Sequence, residues 1–348
     1  MDSLRSSTAW KFKINYAITL TFDIERFFRN KYNLGSKMIL VSGANGFVGK
    51  SLCRALVEQR QIVRTATSQI NTQIKNNETV GVGELNGQSD WTKALLDIKV
   101  VIHLAARVHV MNDASTDPLA EFRKVNVEGA LNLAKQAAKA GVKRFIFISS
   151  IKVNGEHTDL DKPFTEVDLA DPQDAYGISK FEAEQGLLLI AQQTGMDVVI
   201  IRPPLIYGPG VKANFKSMLH FVKRGIPLPF GIINNKRSFV YLGNLISLII
   251  RCIDHPEAVN QVFLVSDGED LSTTQLLTGC AKALGVKARL LPVPQKLIEF
   301  FANLLGKQDM AQRLCGNLQV DISKARHLLN WTPPVSVEDG LIETCKHN

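Results

Sequence analysis

Residues 174–185 read DAYGISKFEAEQ, which puts Tyr176 four places before Lys180 in a stretch of helical character. At that spacing the two side chains share one helix face, a turn apart. A free phenol ionises near about pH 10 and is a scarce base at neutral pH. An ammonium one turn away, together with the positive charge of an oxidised nicotinamide, would favour the phenolate, so the pair has the chemistry to exchange a proton with a hydroxyl. Tyrosine and lysine at this spacing also arise by chance, and the meaning of the pair depends on what the chain places around it.

A second stretch, SGANGFVG, supplies Gly43, Gly46 and Gly49 directly after the apolar run MILVSG and at the head of the helical run VGKSLCRALVEQ. Glycines at this spacing permit a tight turn, close approach of a pyrophosphate to the backbone, and close helix–strand packing. The helix start then offers unpaired N–H groups to negative charge. The strand-before, helix-after context makes this a dinucleotide site. NAD sites commonly carry an acid about 20 positions further on, at the ribose 2′-OH. Here no acid stands between Glu58 and Glu78, and the expected place near Thr67 is neutral. That removes the main repulsion against a 2′-phosphate, and Arg64 is nearby, so either NAD or NADP is expected.

The elements that must position these groups follow a regular order. Strand candidates MILVSG, QIVRTAT, TVGVG, VVIHLAA, RFIFISS and DVVIIRP alternate with helical stretches, notably PLAEFRKVNVEGALNLAKQAAKAG and AYGISKFEAEQGLLLIAQQTG. Val- and Ile-rich strands with little polar alternation are of the kind buried on both faces. Their alternation with helices predicts an α/β fold with a doubly wound parallel sheet. After Pro203 strands grow sparser and Pro and Gly more frequent, which predicts a smaller C-terminal α/β lobe that binds substrate. The expected organisation is a poorly ordered extension over 1–37, a nucleotide-binding domain over 38–202, and a mainly substrate-binding lobe over 203–348.

Composition narrows the classes. With 45% hydrophobic and 21% charged residues, the chain suits a soluble domain with a sizeable core and not a disordered one. Residues 1–37 hold seven Lys/Arg against three Asp/Glu, a net of +4, and the remaining residues supply the other +4 of the total +8. That scattered excess suits phosphorylated ligands but not nucleic acid, which calls for a concentrated basic face. The five cysteines are an odd number without a CxxC pattern, which reads as reduced thiols of a cytoplasmic protein. No histidine spacing suits a metal, and no apolar run has the roughly 18 residues a membrane span needs.

The glycine turn, HLAA (103–106), VNVEG (125–129), ISS (148–150) and YGISK (176–180), in this order, resemble an extended short-chain dehydrogenase/reductase. Within that group the chain resembles the NAD-dependent epimerase/dehydratase family, near its UDP-glucose 4-epimerase-like members of surface-polysaccharide sugar pathways. The likeness runs from Met38 to the C-terminus and includes IRPPLIYGPG (201–210) and VDISKARHLLNWTPP (320–334). It implies a Rossmann sheet and a catalytic set of Ser150, Tyr176 and Lys180. In such enzymes the tyrosine is the acid/base for a sugar hydroxyl, the lysine holds the ribose and the serine steadies the reacting oxygen.

The resemblance also implies a cofactor site. It takes in Gly43, Gly46, Phe47, Val48 and Gly49 at the turn, Glu84 and Leu85 near the adenosine, and Ala105, Asn126 and Pro203 besides Tyr176 and Lys180. For the UDP-sugar it implies Arg237 and Arg313 facing the pyrophosphate; Lys152 and Asn154, polar groups beside Ser150, and Asn214 are further substrate-binding candidates. Arginine suits that task because its planar fork meets phosphate oxygens in pairs. A homodimer through the two long helices is expected by the same resemblance.

The loop after Ser150 bears on the reaction. The family's 4,6-dehydratases carry an Asp-Glu pair there, where this chain has Ile151 and Lys152; that elimination would lack its acid and base, which argues against a 4,6-dehydratase. Two C4 reactions remain, a 4-epimerase that keeps its NAD and a 4-keto reductase of a UDP-4-keto-6-deoxy-N-acetylhexosamine that consumes NAD(P)H. Departures from the family pattern at Asn154, Leu205 and LGN (242–244) suit a modified UDP-sugar. A non-catalytic NADP sensor is the reading from another class, and the retained tyrosine–lysine pair argues against it.

Overall fold

The computed structural model describes residues 38–68, 78–108 and 115–347, apart from the side chains of residues 213 and 214. The expected extension over 1–37 lies outside the described residues. Among the described residues there are ten strands: β1 Met38–Ser42, β2 Ile62–Thr67, β3 Glu78–Gly81, β4 Val100–His103, β5 Arg144–Ile148, β6 Asp197–Arg202, β7 Leu205–Tyr207, β8 Arg237–Tyr241, β9 Gln261–Leu264 and β10 Asp270–Leu271. Seven form one sheet in the order β3-β2-β1-β4-β5-β6-β9, and all its pairings are parallel.

Alternate residues of these strands enter two separate cores, as the two-residue period of a strand requires. Ile39, Val41, Ile146, Ile148, Val199 and Ile201 face one core; Leu40, Phe145, Phe147, Val198 and Ile200 face the other. Helices Phe47–Glu58 and Leu242–Asp254 cover the first face, while Ala130–Lys139 and Ala175–Thr194 cover the second. This is the doubly wound α/β sheet expected from the sequence. The order reverses between β1 and β4, the position at which open α/β sheets bind ligands beyond the strands' carboxyl ends.

β9 and the helix Leu242–Asp254 fall in the stretch assigned by sequence to the C-terminal lobe, yet they complete the nucleotide-binding sheet and one of its faces. Arg144 helps fasten them. It is buried at the start of β5 and donates to the carbonyls of Cys252 (2.8 Å), Ile253 (3.1 Å) and His255 (3.0 Å) and to Asp197 Oδ2 (3.1 Å). A cation at carbonyls that a helix end leaves unpaired satisfies both partners.

The C-terminal lobe holds a small sheet in the order β10-β8-β7 with helices Ala213–Lys223, Thr273–Leu284 and Val337–Lys346 around a third core. Asn244 of LGN is fully buried and donates to Asp267 Oδ1 (2.7 Å) and the Val335 carbonyl (2.8 Å). Tyr207 of IYGPG donates to the other Asp267 oxygen at 2.8 Å. The LGN departure from the family pattern thus lies in the scaffold. The five cysteines are buried and unbridged. Among the described residues no helix is long and apolar enough to cross a membrane.

Candidate active site

The glycine turn closes β1 against the end of β4. Gly43 has φ +75°, and a Cβ there would come within 2.6 Å of the Ala105 backbone nitrogen. A Cβ on Gly49 would lie 2.2 Å from the Gly43 carbonyl oxygen, so both positions need glycine for the chain to fold so tightly. The helix then starts at Phe47 with no side-chain cap at Gly46 and no acid in its first turn. Its leading N–H groups and the positive end of the helix dipole are free for an anion. This cradle fits a dinucleotide pyrophosphate. Phe47 and Val48 are half-buried at the helix start, packed on the first core.

β5 delivers Ser149 and Ser150 at its carboxyl end. Ser150 is extended (φ −155°, ψ 149°), and its Oγ accepts from the Lys152 N–H at 3.2 Å, capping the short turn Ile151–Val153. Ile151 N–H donates to the Pro203 carbonyl at 3.0 Å, which ties Pro203 beyond β6 to the serine turn. Helix Ala175–Thr194 begins at Asp174, whose Oδ1 accepts from Gly177 N–H at 2.7 Å, an ordinary aspartate N-cap. This places Tyr176 in the first turn and Lys180 one turn along.

Lys180 reaches back to the sheet. Its Nζ donates to the Ile148 carbonyl at 2.8 Å, sits 4.4 Å from the Phe147 ring centroid and 5.9 Å from that of Tyr176. The backbone ahead of Ser150 and the ammonium are thus joined. Burial drives the Lys180 pKa down to about 7, with Glu184 acting the other way. Burial also raises the Tyr176 phenol above its usual value, and Asp174 raises it further. Without a nucleotide, desolvation dominates both groups, because each charged form loses water.

Asn126 stands in a π-helical segment, Lys124–Gly129, within the longer helix from Pro118 to Lys139. Its Oδ1 accepts from Arg107 N–H at 2.8 Å, and its Nδ2 donates to the Arg107 carbonyl and to Ser179 Oγ, each at 3.0 Å. One buried amide thus joins the loop after HLAA to the helix of Tyr176. A π-turn at such a point is a common companion of functional sites. His103 lies beneath, with Nδ1 2.6 Å from Ser42 Oγ and its ring stacked on Phe147. Burial, then the nearby Lys180, drives its pKa down to about 3 and keeps it neutral.

Other predicted residues sit differently. Asn154 is buried and its amide is committed at both ends, with Oδ1 accepting from Arg202 Nη1 (2.9 Å) and Nδ2 donating to the Thr165 carbonyl (2.9 Å). Arg202 in turn holds Glu184 through Nε (3.0 and 3.2 Å) and Nη2 (2.5 Å). Asn154 therefore ties the serine turn to the scaffold under the Tyr176 helix. The Lys152 ammonium is taken by two carboxylates, Glu156 at 2.6 Å and Asp174 at 2.5 Å.

Arg64 is buried and engages Glu78 Oε2 and the carbonyls of Ala94 and Leu96, so it is not the partner of a 2′-phosphate. Glu84 is exposed and pairs with Lys124 at 3.2 Å, while Leu85 packs under the π-segment against Gly129. Arg237 donates to the Gly316 carbonyl at 3.0 Å. Burial lowers it to about 10, with Glu156 opposing and Arg313 adding to the shift. The two arginines are thus close enough to feel each other, and the exposed Arg313 ends the helix Gln308–Cys315. The Asn214 side chain lies outside the described residues.

A family model described as the NAD dependent epimerase/dehydratase family matches residues 39–266. The chain belongs to that family. It is 48% identical over 311 residues to a UDP-glucose 4-epimerase of Vibrio cholerae, covering 89% of this chain and 95% of that protein. Among solved structures, a UDP-glucose 4-epimerase of Thermotoga maritima with UDP-glucose superposes with TM-score 0.69 at 24% identity, covering 89% of this chain and 98% of the other. A UDP-glucuronic acid 4-epimerase of Bacillus cereus in complex with NAD superposes with TM-score 0.71 at 23% identity, covering 89% and 96%. The last two likenesses speak for the fold.

Sequence reasoning named Ser150, Tyr176 and Lys180 but passed over Asp174, Glu156, Ser179 and the Glu184–Arg202 pair. Only Asp174 carried a legible signal: an aspartate at the head of a helical run is an N-cap pattern.

Proposed function

We propose that the protein is an NAD(P)-dependent enzyme acting at C4 of a UDP-sugar in the manner of a UDP-glucose 4-epimerase, within surface-polysaccharide sugar biosynthesis. The observation that carries this reading is the gathering of Ser150, Tyr176 and Lys180 at the carboxyl end of β5, on the same sheet edge as the glycine cradle. The extensive identity to the Vibrio cholerae UDP-glucose 4-epimerase supports the substrate class.

When bound, the dinucleotide supplies hydride acceptance from C4 and its return. The residues of the chain do the rest. The glycine turn and the uncapped helix start hold the pyrophosphate. Lys180, fixed by the Ile148 carbonyl, donates to the ribose. Ser150 Oγ steadies the C4 oxygen, and Tyr176 exchanges the hydroxyl proton. The Tyr176 phenol must be lowered to serve as base, and the positive charge of an oxidised nicotinamide adds to Lys180 in doing so. Arg237 and Arg313 take the UDP diphosphate, whose charge relieves their mutual repulsion.

The second reading, a 4-keto reductase, is favoured by the neutral end of β2 at Thr67, which admits NADPH. Absorbance of NADPH or NADH in the presence of a UDP-4-keto-6-deoxy-N-acetylhexosamine separates the two. Stoichiometric oxidation means a reductase, while none, with interconversion of UDP-glucose and UDP-galactose on retained NAD, means an epimerase. Pairing of two copies through helices Pro118–Lys139 and Ala175–Thr194 is part of the proposal, and sedimentation equilibrium tests it.

A further inference from the structure

Residue 152 touches both Ser150 and the first turn of the helix that carries Tyr176. Its backbone N–H donates to Ser150 Oγ at 3.2 Å. Its carbonyl oxygen lies where a Cβ on Gly177 would approach to 2.9 Å, so the Tyr176 helix packs directly on the serine turn and needs the glycine to do so. Its ammonium, 23% exposed, bridges Asp174 Oδ2 (2.5 Å) and Glu156 Oε1 (2.6 Å). Asp174 spends its other oxygen capping the helix that carries Tyr176 and Lys180. We propose that Lys152 is a positioning residue that locks the Ser150 turn to the Tyr176 helix and cancels the Asp174 charge beside the phenol. The inference rests on the reading of Tyr176 as acid/base.

The surrounding charges single out this role. On its own helix Tyr176 faces Asp174 and Lys180, and the next acids along, Glu182 and Glu184, are held by Arg123 and Arg202. From β4 comes His103, which is neutral. From the Pro118 helix comes the Phe122 ring, 6.1 Å from that of Tyr176, with the Arg107 guanidinium 5.6 Å from the Phe122 centroid. From the serine turn come Lys152 and Glu156, and Glu156 also acts on Arg237. Asp174 is the negative charge that opposes ionisation of the phenol, and Lys152 is its counter-ion. A loss of Lys152 frees that charge and holds the proton on Tyr176 more tightly.

The test follows Tyr176 ionisation in the NAD-loaded full chain by phenolate absorbance between about pH 6 and 10, with Tyr176→Phe identifying the step. Lys152→Met should move the step upward by roughly one unit, a tenfold loss of phenolate at neutral pH, and Lys152→Arg should restore it. Adding Asp174→Asn to Lys152→Met should bring the step back to the wild-type position or below, since asparagine caps a helix as well as aspartate. With UDP-glucose and NAD, kcat should fall with the phenolate while KM stays put. An unmoved step in Lys152→Met, a step that stays displaced in the double variant, or no Tyr176 step in the wild type would each overturn the inference. Full turnover by Tyr176→Phe would instead overturn the functional reading and leave the titration result standing.

Discussion

The Glu184–Arg202 pair lies one turn beyond Lys180 and is buried, with side-chain exposures of 1% and 7%. Glu184→Ala removes the carboxylate that receives two arms of the guanidinium, Nε and Nη2, and leaves Arg202 with Asn154 Oδ1. Two hydrogen bonds to a charged group at about 1.5–3 kcal/mol each sum to about 3–6 kcal/mol. Truncating one partner of a buried pair costs about 3–5 kcal/mol by direct comparison. The two routes meet near about 4 kcal/mol. At an m-value of about 3 kcal/mol/M, the urea midpoint falls by about 1.3 M. Replacing both partners, as Glu184→Met with Arg202→Met, should recover most of that loss, because no buried charge is then left unpaired. A single-variant loss below about 1 kcal/mol, the range of an exposed pair, would refute the reasoning and make the pair solvated.

Further outcomes follow from the same geometry. Gly43→Ala forces a left-handed residue and a Cβ 2.6 Å from Ala105 nitrogen, so NAD affinity by fluorescence titration should fall at least about tenfold, which is about 1.4 kcal/mol; unchanged affinity would contradict the cradle. Arg313→Met should raise KM for the UDP-sugar with kcat little changed, through loss of about 1.5–3 kcal/mol of charge-assisted binding, and a purely kcat effect would contradict its place on the diphosphate. Burial holds folded Lys180 near about 7, below the unfolded value of 10.5, so the unfolded chain binds more protons between them and this group makes stability rise with pH from about 7 upward. Lys180→Met should lack that part of the slope, and identical slopes for the two proteins would contradict the shift.

The sheet was legible because its strands are continuous apolar runs and its glycine turn sits between a strand and a helix, both local signals. Ser150, Tyr176 and Lys180 were legible for a similar reason, since each stands at a fixed place in a short motif. What stayed hidden was decided at long range. Asn154 and Lys152 look like substrate residues from their nearness to Ser150, yet their partners Arg202 and Asp174 lie 48 and 22 residues away. The direction of Arg64 on its strand was set by Glu78, which comes beside it only through the pairing with β3. The return of β9 to the first sheet was hidden too, because an apolar strand carries no mark of which neighbour it will join. Burial was the other unseen quantity, and it pushes Tyr176 up and Lys180 down.

The most direct test of the account is a comparison of wild type and Tyr176→Phe, each loaded with NAD, for interconversion of UDP-glucose and UDP-galactose, alongside oxidation of NADPH or NADH by a UDP-4-keto-6-deoxy-N-acetylhexosamine. The account predicts that the wild type carries out one of these C4 reactions and that the variant, while still binding nucleotide, loses at least about a hundredfold of it, the lower end of what a positioned acid/base contributes. A variant that turns over like the wild type, or a wild type that binds NAD and UDP-sugar yet performs neither reaction, would contradict it.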